Sequence, residues 1–363
     1  ASTKYVLCNC EEGDPGAYND KGILETDPHT LVEGLILNGY ATNSNKSYVF
    51  IRQGHDIPIN AIERAIKEAY DNGILGENIL GSNFSFDMEV SLTGDSYVAG
   101  EETALMEAIE GKRSTPRFKP PFPAASGLWK KPTNINNVKT ISYVPEIIKN
   151  GSEWFKGTGT EKSTGTAIVC LSGHINRPGM YEIPMGMTIN DVLENIGGGS
   201  NSETDIKMLQ TGGPLGGVLG KEAFSTKIDF DEMAKSGAIL GSGGIIVCDE
   251  SVSVVDLIRN LVAFNQFESC GKCFPCRLGN THMYDVLDRL CNSKSEPNDL
   301  ALLERIGNSM KIGSLCGHGQ LGYNPISSSL KYFQSEISDS INNISEPLEK
   351  MLIPTRTRPN NLE

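Results

Sequence analysis

The sequence predicts an α/β protein that carries a smaller α+β unit and a helical end. Three observations support this. Strand-like and helix-like segments alternate over the first ~150 residues, short strands dominate the middle, and helical periodicity takes over after Val252. The expected organisation is an α/β domain over 1–160, a small β-grasp domain over 161–250, a helical bundle over 251–345 and a polar tail over 346–363.

The first element is the strand KYVLCNC (4–10), which begins almost at residue 1 and predicts that further residues precede it. DPHTLVEGLILNGY (27–40) reads as a helix with Asp27 as N-cap and Pro28 in its first turn. SYVFIR (47–52) and FDMEVSL (86–92) read as strands. The helix between them (58–73) places Ile59, Ile62, Ile66 and Tyr70 on one face and ends at Gly73. EETALMEAIEG (101–111) predicts another helix, closed by Gly111. In the middle, TAIVCLSG (166–173), GMYEIPMG (179–186), KMLQTGG (207–213) and GGIIVCDE (243–250) are strands around one short helix at 188–198. Helices are expected at 252–270, 281–291, 299–310 and 326–341.

Composition narrows the function. The net charge of −13 disfavours nucleic acid, whose phosphates would be repelled. No apolar run approaches the ~20 residues of a membrane helix, so no direct membrane insertion is expected. The 9 cysteines are not the short, dense and even framework of a secreted domain, and three of them fall between 270 and 276. This pattern points to a metal site in a reducing compartment. The cytoplasm is expected, with a mitochondrial or hydrogenosomal matrix as the alternative.

Cys270, Cys273 and Cys276 form C-x2-C-x2-C, and Cys316 follows in a second loop, SLCGHG. A 4Fe–4S cube needs a thiolate at each of four corners, and a close triplet wraps three of them from one loop. Flanking glycines let backbone N–H groups approach the sulfides. Zinc is the main alternative, with His318 able to replace a cysteine, but structural zinc more often takes two separated pairs. Disulfides are a third option, disfavoured by compartment. Lys272 and Arg277 either place positive charge beside the cluster or are solvated surface groups. Cys8, Cys10, Cys170, Cys248 and Cys291 read as small core residues.

Several short segments are rich in ligand-forming residues: CNCEEGDPG (8–16), VAGEET (98–103), PRFKPPFP (116–123) and NINNV (134–138). Each alone is weak; carboxylates at a helix N-terminus, for example, also serve the helix dipole. Together with DPHTLVEG (27–34), GEETALMEAIEGKR (100–113), PTNINNV (132–138) and ESCGKCFPCRLG (268–279), they closely resemble the NADH-binding flavoprotein subunit of respiratory complex I. The related diaphorase subunits of NAD(P)-linked or electron-bifurcating hydrogenases share the resemblance.

The resemblance implies a Rossmann-like FMN/NADH domain, FMN, NAD(H) or NADP(H) and one 4Fe–4S cluster. Asn9, Glu11 and Gly13 would line the FMN. Gly100, Glu101 and Glu102 would lie on the isoalloxazine side, with Glu102 also near the nicotinamide as the catalytic carboxylate. Ile135, Asn136 and Asn137 would hold the ribityl–phosphate end. Lys119 and Phe122 would contact the dinucleotide, and Asp14 its adenosine ribose. Implied partners are a thioredoxin-like 2Fe–2S subunit and a larger iron–sulfur, hydrogenase-like or complex I subunit. The implied activity is NAD(P)H:acceptor oxidoreduction. The alternatives are an electron-bifurcating hydrogenase diaphorase subunit or a flavin-free, cluster-carrying conduit or assembly subunit.

The family's glycine-rich, flavin-cradling segment does not occur in these 363 residues, which alone are expected to hold FMN weakly. Asp14 stands where complex I subunits usually carry Glu, and Cys10 where they carry a smaller residue.

Overall fold

The structure is a computed structural model and describes residues 3–342. Strands β1 (Tyr5–Cys10), β2 (Lys46–Arg52), β3 (Asp87–Thr93) and β4 (Thr133–Asn137) form a wholly parallel sheet in the order β3-β2-β1-β4. Chain connections leave β1 toward β2 and β3 on one side, while β4 lies on the other. The strand order therefore reverses beside β1, where open α/β sheets bind ligands outside their carboxyl ends.

Alternation along β1 sorts its side chains. Val6, Cys8 and Cys10 pack with helices α1 (Asn19–Thr26), α2 (Pro28–Thr42) and α3 (Asp56–Asp71). Leu7 points to the opposite face and packs with Phe50 and with Leu105 and Met106 of α4 (Glu102–Ile109). Both faces of the sheet are thus covered, as a parallel sheet requires. Asp27 caps α2 as expected, accepting from Thr30 N at 3.2 Å.

Two elements of this unit carry weak sequence signals. The N-cap residue of α1, Tyr18, makes no side-chain cap; the distant Glu12 accepts from Asp20 N (2.7 Å) and Lys21 N (2.9 Å) instead. Strand β4 is TNINN, whose asparagines disfavour strands, yet it pairs in register with β1 and leads straight into α5 (Val138–Ser142).

The second sheet contains β5 (Thr166–Gly173), β6 (Gly179–Pro184), β7 (Ile206–Thr211), β8 (Gly217–Gly220) and β9 (Gly244–Asp249), in the order β6-β5-β9-β7-β8. Only β5 and β9 pair in parallel. One face packs on Ile189, Val192 and Leu193 of the short helical stretch after Thr188. Met208, Val218 and Cys248 on the other face pack with the helical region. That region comprises α6 (Val254–Phe267), α7 (Phe274–Cys291), α8 (Asp299–Gly313), α9 (Gly317–Gln320), α10 (Asn324–Tyr332) and α11 (Gln334–Asn342). The predicted helix at 281–291 thus begins earlier, inside the cysteine motif, and the one at 326–341 breaks in two at Phe333. No helix of the described residues is long and apolar enough to cross a membrane. The expected polar tail, 346–363, lies outside the described residues.

Candidate functional site

A cleft of about 360 Å³ opens where the carboxyl ends of β1 and β4 meet the loops of the second sheet and the Cys316 loop. This volume falls in the range of small-ligand sites. The β1 side is built by hydrogen bonds among the residues that follow the strand. Asn9 Nδ2 donates to Gly100 O at 2.8 Å, which ties β1 to the turn before α4. Glu11 N donates to Asn9 Oδ1 (3.2 Å), and Gly13 N donates to Glu11 Oε2 (3.0 Å). Arg52, at the end of β2, grips Glu11 through Nε (2.9 Å) and Nη2. A Cβ on Gly13 would meet this guanidinium and the Glu11 carboxylate, so a side chain there would have to displace the pair.

Glu12 has φ +40°, the left-handed region that non-glycine residues rarely adopt. This conformation sends consecutive carboxylates in different directions, Glu11 to Arg52 and Glu12 to the start of α1. Asp20 lies beside Glu12. Its Oδ2 accepts from Asn137 Nδ2 at 2.6 Å, while its Oδ1 is buried without a partner among the described residues.

The cleft is acidic, and several of its carboxyl groups are buried. Burial pushes Glu11 up to about 7 against the opposing pull of Arg52. Burial also raises Glu12, Asp14 and Asp20, and Glu12 bears on Asp20 as a like charge. Asp14 lies against Gly213 and beside Tyr97 and Ser242. Tyr97 is raised by burial and by Asp14, and its ring stands 5.6 Å from His318 and 5.2 Å from Phe264, edge-on to both.

The cysteine loops close the far side. Cys316, Gly317, His318 and Leu321 line the same cleft as Asn9 and Gly100. All four motif cysteines are free thiols. Burial raises Cys276 to about 12 and Cys316 to about 11, so neither ionises unaided; metal binding is what turns such thiols into thiolates. Ser269 Oγ lies 3.3 Å and Asn280 Nδ2 3.4 Å from Cys276 Sγ. Three contacts strap this region to the α/β unit. Arg113 Nη2 donates to Cys270 O (2.9 Å), Lys272 Nζ to Pro116 O, and Tyr97 N to Glu268 Oε2 (3.0 Å). Lys272 and Arg113 are therefore tethering groups, and Lys272 also stands over the Phe118 ring. Arg277 binds Gly271 O at 3.0 Å.

The structure brings Asn9, Glu11, Gly13, Asp14, Gly100, Glu101, Asn137 and Cys316 together around the cleft. Glu101 also caps α4, accepting from Thr103 N (2.9 Å) and Ala104 N (3.0 Å). Glu102 and Lys119 pair next to it, with Lys119 Nζ 3.4 Å from Glu101, so they extend the site at its rim. Phe122 is exposed beyond them. Ile135 packs toward Leu7, and Asn136 bonds Asn134; both lie on β4 away from the lining. The cleft also holds residues the sequence did not single out: Asp20, Tyr97, Lys139, Leu215 and Ser242. They are scattered over helices, turns and loops of both units, and no local motif marks them. The five remaining cysteines are all buried and free, as expected.

Comparison with known proteins settles the family. Residues 1–146 match the Nuo51 FMN-binding domain, residues 168–219 an SLBB domain, and residues 256–340 the NADH-ubiquinone oxidoreductase-F iron–sulfur binding region. The second F subunit of the NADH-quinone oxidoreductase of Rhizobium meliloti (strain 1021) is 40% identical, with 92% of this chain and 79% of the relative aligned. The chain belongs to the F-subunit family of NADH-quinone oxidoreductases. Another relative of this F-type subunit, the NADP-reducing hydrogenase subunit HndC of Solidesulfovibrio fructosivorans, is 43% identical over 93% of this chain and 68% of its own length. The NADH-quinone oxidoreductase F subunit of Escherichia coli (strain K12) is 36% identical over 99% and 80%. A crystal structure of an NAD+-reducing NiFe hydrogenase superposes with TM-score 0.85 at 28% identity, covering 94% of this chain. The F-type subunit spans 57% of the length of that hydrogenase chain.

An FMN-binding domain and a 4Fe–4S-binding region are thus both present in this F-type subunit. The residues fit the two groups: Cys270, Cys273 and Cys316 are all near enough to Cys276 to act on its thiol, and the cleft offers unpaired polar atoms and apolar wall. Asp14 Oδ1, Asp20 Oδ1 and Ser242 Oγ are buried cleft atoms without partners among the described residues, and Val98, Leu215 and Leu321 supply apolar wall. Among the described residues no group of three or more His, Cys, Asp and Glu side chains is drawn together as a single-ion site.

Proposed function

We propose that the chain is the NAD(P)H-oxidising subunit of a larger electron-transfer complex. FMN binds in the strand-end cleft, and Cys270, Cys273, Cys276 and Cys316 hold the 4Fe–4S cluster. The observation that carries this is the position of Cys316, which lines the same cleft as Asn9, Glu11 and Gly100. When bound, FMN would supply acceptance of one hydride, with its two electrons, and their release one at a time, and the cluster a one-electron acceptor.

The residues of the chain bind and orient. Asn9, Glu11 and Gly13 form the floor under the flavin, held by Arg52. Gly100 and Glu101 flank its ring side. Glu102, paired with Lys119, is the carboxylate nearest the incoming nicotinamide. Phe122 offers an exposed ring to the dinucleotide, and Asp14 an acceptor to its adenosine ribose. Ile135, Asn136 and Asn137 set the β4 edge for the ribityl–phosphate end, with Asn137 fixed by Asp20. Leu215, Leu321 and Val98 keep water from the reacting face. Partners are a thioredoxin-like 2Fe–2S subunit and a larger iron–sulfur subunit, in the cytoplasm or an organelle matrix. The complex is a quinone-reducing or a hydrogenase-linked one, since relatives of both kinds are similar over more than nine-tenths of this chain.

The complex, purified anaerobically, is expected to contain FMN and about four irons for this chain. NAD(P)H should bleach the flavin in wild type and in Cys316→Ala, while the variant loses the reduced-cluster signal. A wild-type complex with iron but no flavin overturns the reading in favour of a cluster-only conduit.

A further inference from the structure

The charge of the cleft is one-sided. Glu11, Glu12, Asp14, Asp20 and Glu101 line it, and Lys139 is the single Lys or Arg among its described lining residues. Lys139 lies two residues beyond β4 and lines the same cleft as Asn137 and Gly100. Its backbone N–H bonds Asn137 Oδ1 at 2.9 Å. Its ammonium has no ion-pair partner among the described residues; Asp20 and Glu182 act on it only through their field. Glu182 belongs to a second cavity, whose wall Lys139 shares. Burial lowers the pKa of Lys139, against the opposing influence of these two carboxylates.

A half-buried ammonium without a partner costs free energy unless an anion meets it. The neighbouring carboxylates do not meet it: Glu182 lies beyond ion-pair distance and accepts from Thr166 Oγ1 at 2.6 Å. Glu12 is held by the first N–H groups of α1, and Lys21 lies 3.9 Å from it. Asp20, buried beside Glu12, tends to keep its proton. The Asn137 amide is already committed to Asp20.

We propose that Lys139 seats the phosphate monoester of the flavin nucleotide at the β4 end of the cleft. This rests on the FMN reading of the cleft given above. A dianionic phosphate there supplies the missing counter-charge and fixes which end of the flavin lies toward Gly100. The diphosphate of the dinucleotide has the same chemistry and is the competing source.

The test uses the intact complex, stripped of flavin and titrated with FMN and with riboflavin, which lacks the phosphate, by quenching of flavin fluorescence. Lys139→Met is expected to weaken FMN about ten- to a hundredfold and to leave riboflavin unchanged. Lys139→Arg should restore most of the FMN preference. An unchanged FMN-to-riboflavin ratio in Lys139→Met overturns the proposal. So does an intact ratio accompanied by weaker NADH binding to the flavin-loaded variant, which would place the dinucleotide at Lys139. If Lys139→Met loses both flavins, Lys139→Arg decides: a recovered FMN preference supports the seat, and equal affinities overturn it. Failure of wild type to bind either flavin would overturn the FMN reading itself.

Discussion

The two sheets reach the same cleft by different means. The four-stranded sheet is wholly parallel, so its strands deliver their carboxyl ends to one edge and place Asn9, Glu11 and Asn137 there together. The five-stranded sheet mixes directions, is covered on both faces, and touches the cleft only through loops, at Leu215, Gly241 and Ser242. The first contributes charge; the second contributes shape. Gly212, Gly213 and Gly241 all have positive φ, and the turns they make bring backbone against Asp14 and against each other. One sheet should therefore be sensitive to charge and pH, the other to volume.

The largest expected effect is on shape. A Cβ at Gly216 would collide with the carbonyl oxygen of Thr211, a backbone atom that cannot turn aside. Gly216→Ala should destabilise by about 3 kcal/mol or prevent folding, measured by denaturant unfolding. A near-neutral result would remove the volume half of the comparison.

Next is the charge edge. Arg52→Met leaves Glu11 buried without its cation and should cost about 2 kcal/mol, a value discounted for the partial exposure of Arg52. The sign follows from Glu11, whose pKa is raised from 4.5 to about 7 in the folded chain. Between those values the folded state holds the extra proton, so this group's contribution falls as pH rises through the window. Without Arg52 the folded pKa climbs further, so the penalty should be larger at pH 8 than at pH 5.5. An equal penalty at both would show that Glu11 does not change its protonation over this range.

Asp20→Asn should sharpen the same point. Burial and Glu12 raise Asp20, so its ionisation above the ordinary carboxylate range weakens the flavin-free fold. Asn cannot ionise. The variant should therefore gain on wild type as pH rises from about 5.5 to 8, by roughly 1 kcal/mol in thermal or denaturant unfolding. A constant difference would mean that the pair does not titrate in this range.

The smallest effect is expected at Cys248, a buried thiol of the second sheet. Cys248→Ala should cost less than about 1 kcal/mol and leave iron content unchanged. Lost iron would assign it a role outside the core.

Much of the parallel sheet was legible, because each strand and helix carries its own period and its own stops, as at Asp27 and Gly111. Helix α1 was not, because its cap comes from Glu12 rather than from a neighbouring residue. Strand β4 was hidden by its asparagines, which β1 holds in register. The triplet Cys270, Cys273 and Cys276 is local and could be read directly from the sequence. The proximity of Cys316 to Asn9 is a fact of tertiary packing and could not. Tyr97, Lys139 and Ser242 were missed for the same reason: single residues of common types, drawn in from separate elements.

The straps from Arg113, Lys272 and Tyr97 to the cysteine loop carry a further consequence. They tie the cysteine loop to the segments that flank the cleft, so order in one constrains the other. Any coupling carried by these contacts is equal in both directions, as linkage requires. A chain built this way has no independent halves: a change that loosens the cysteine loop is felt at the turn before α4, and the reverse.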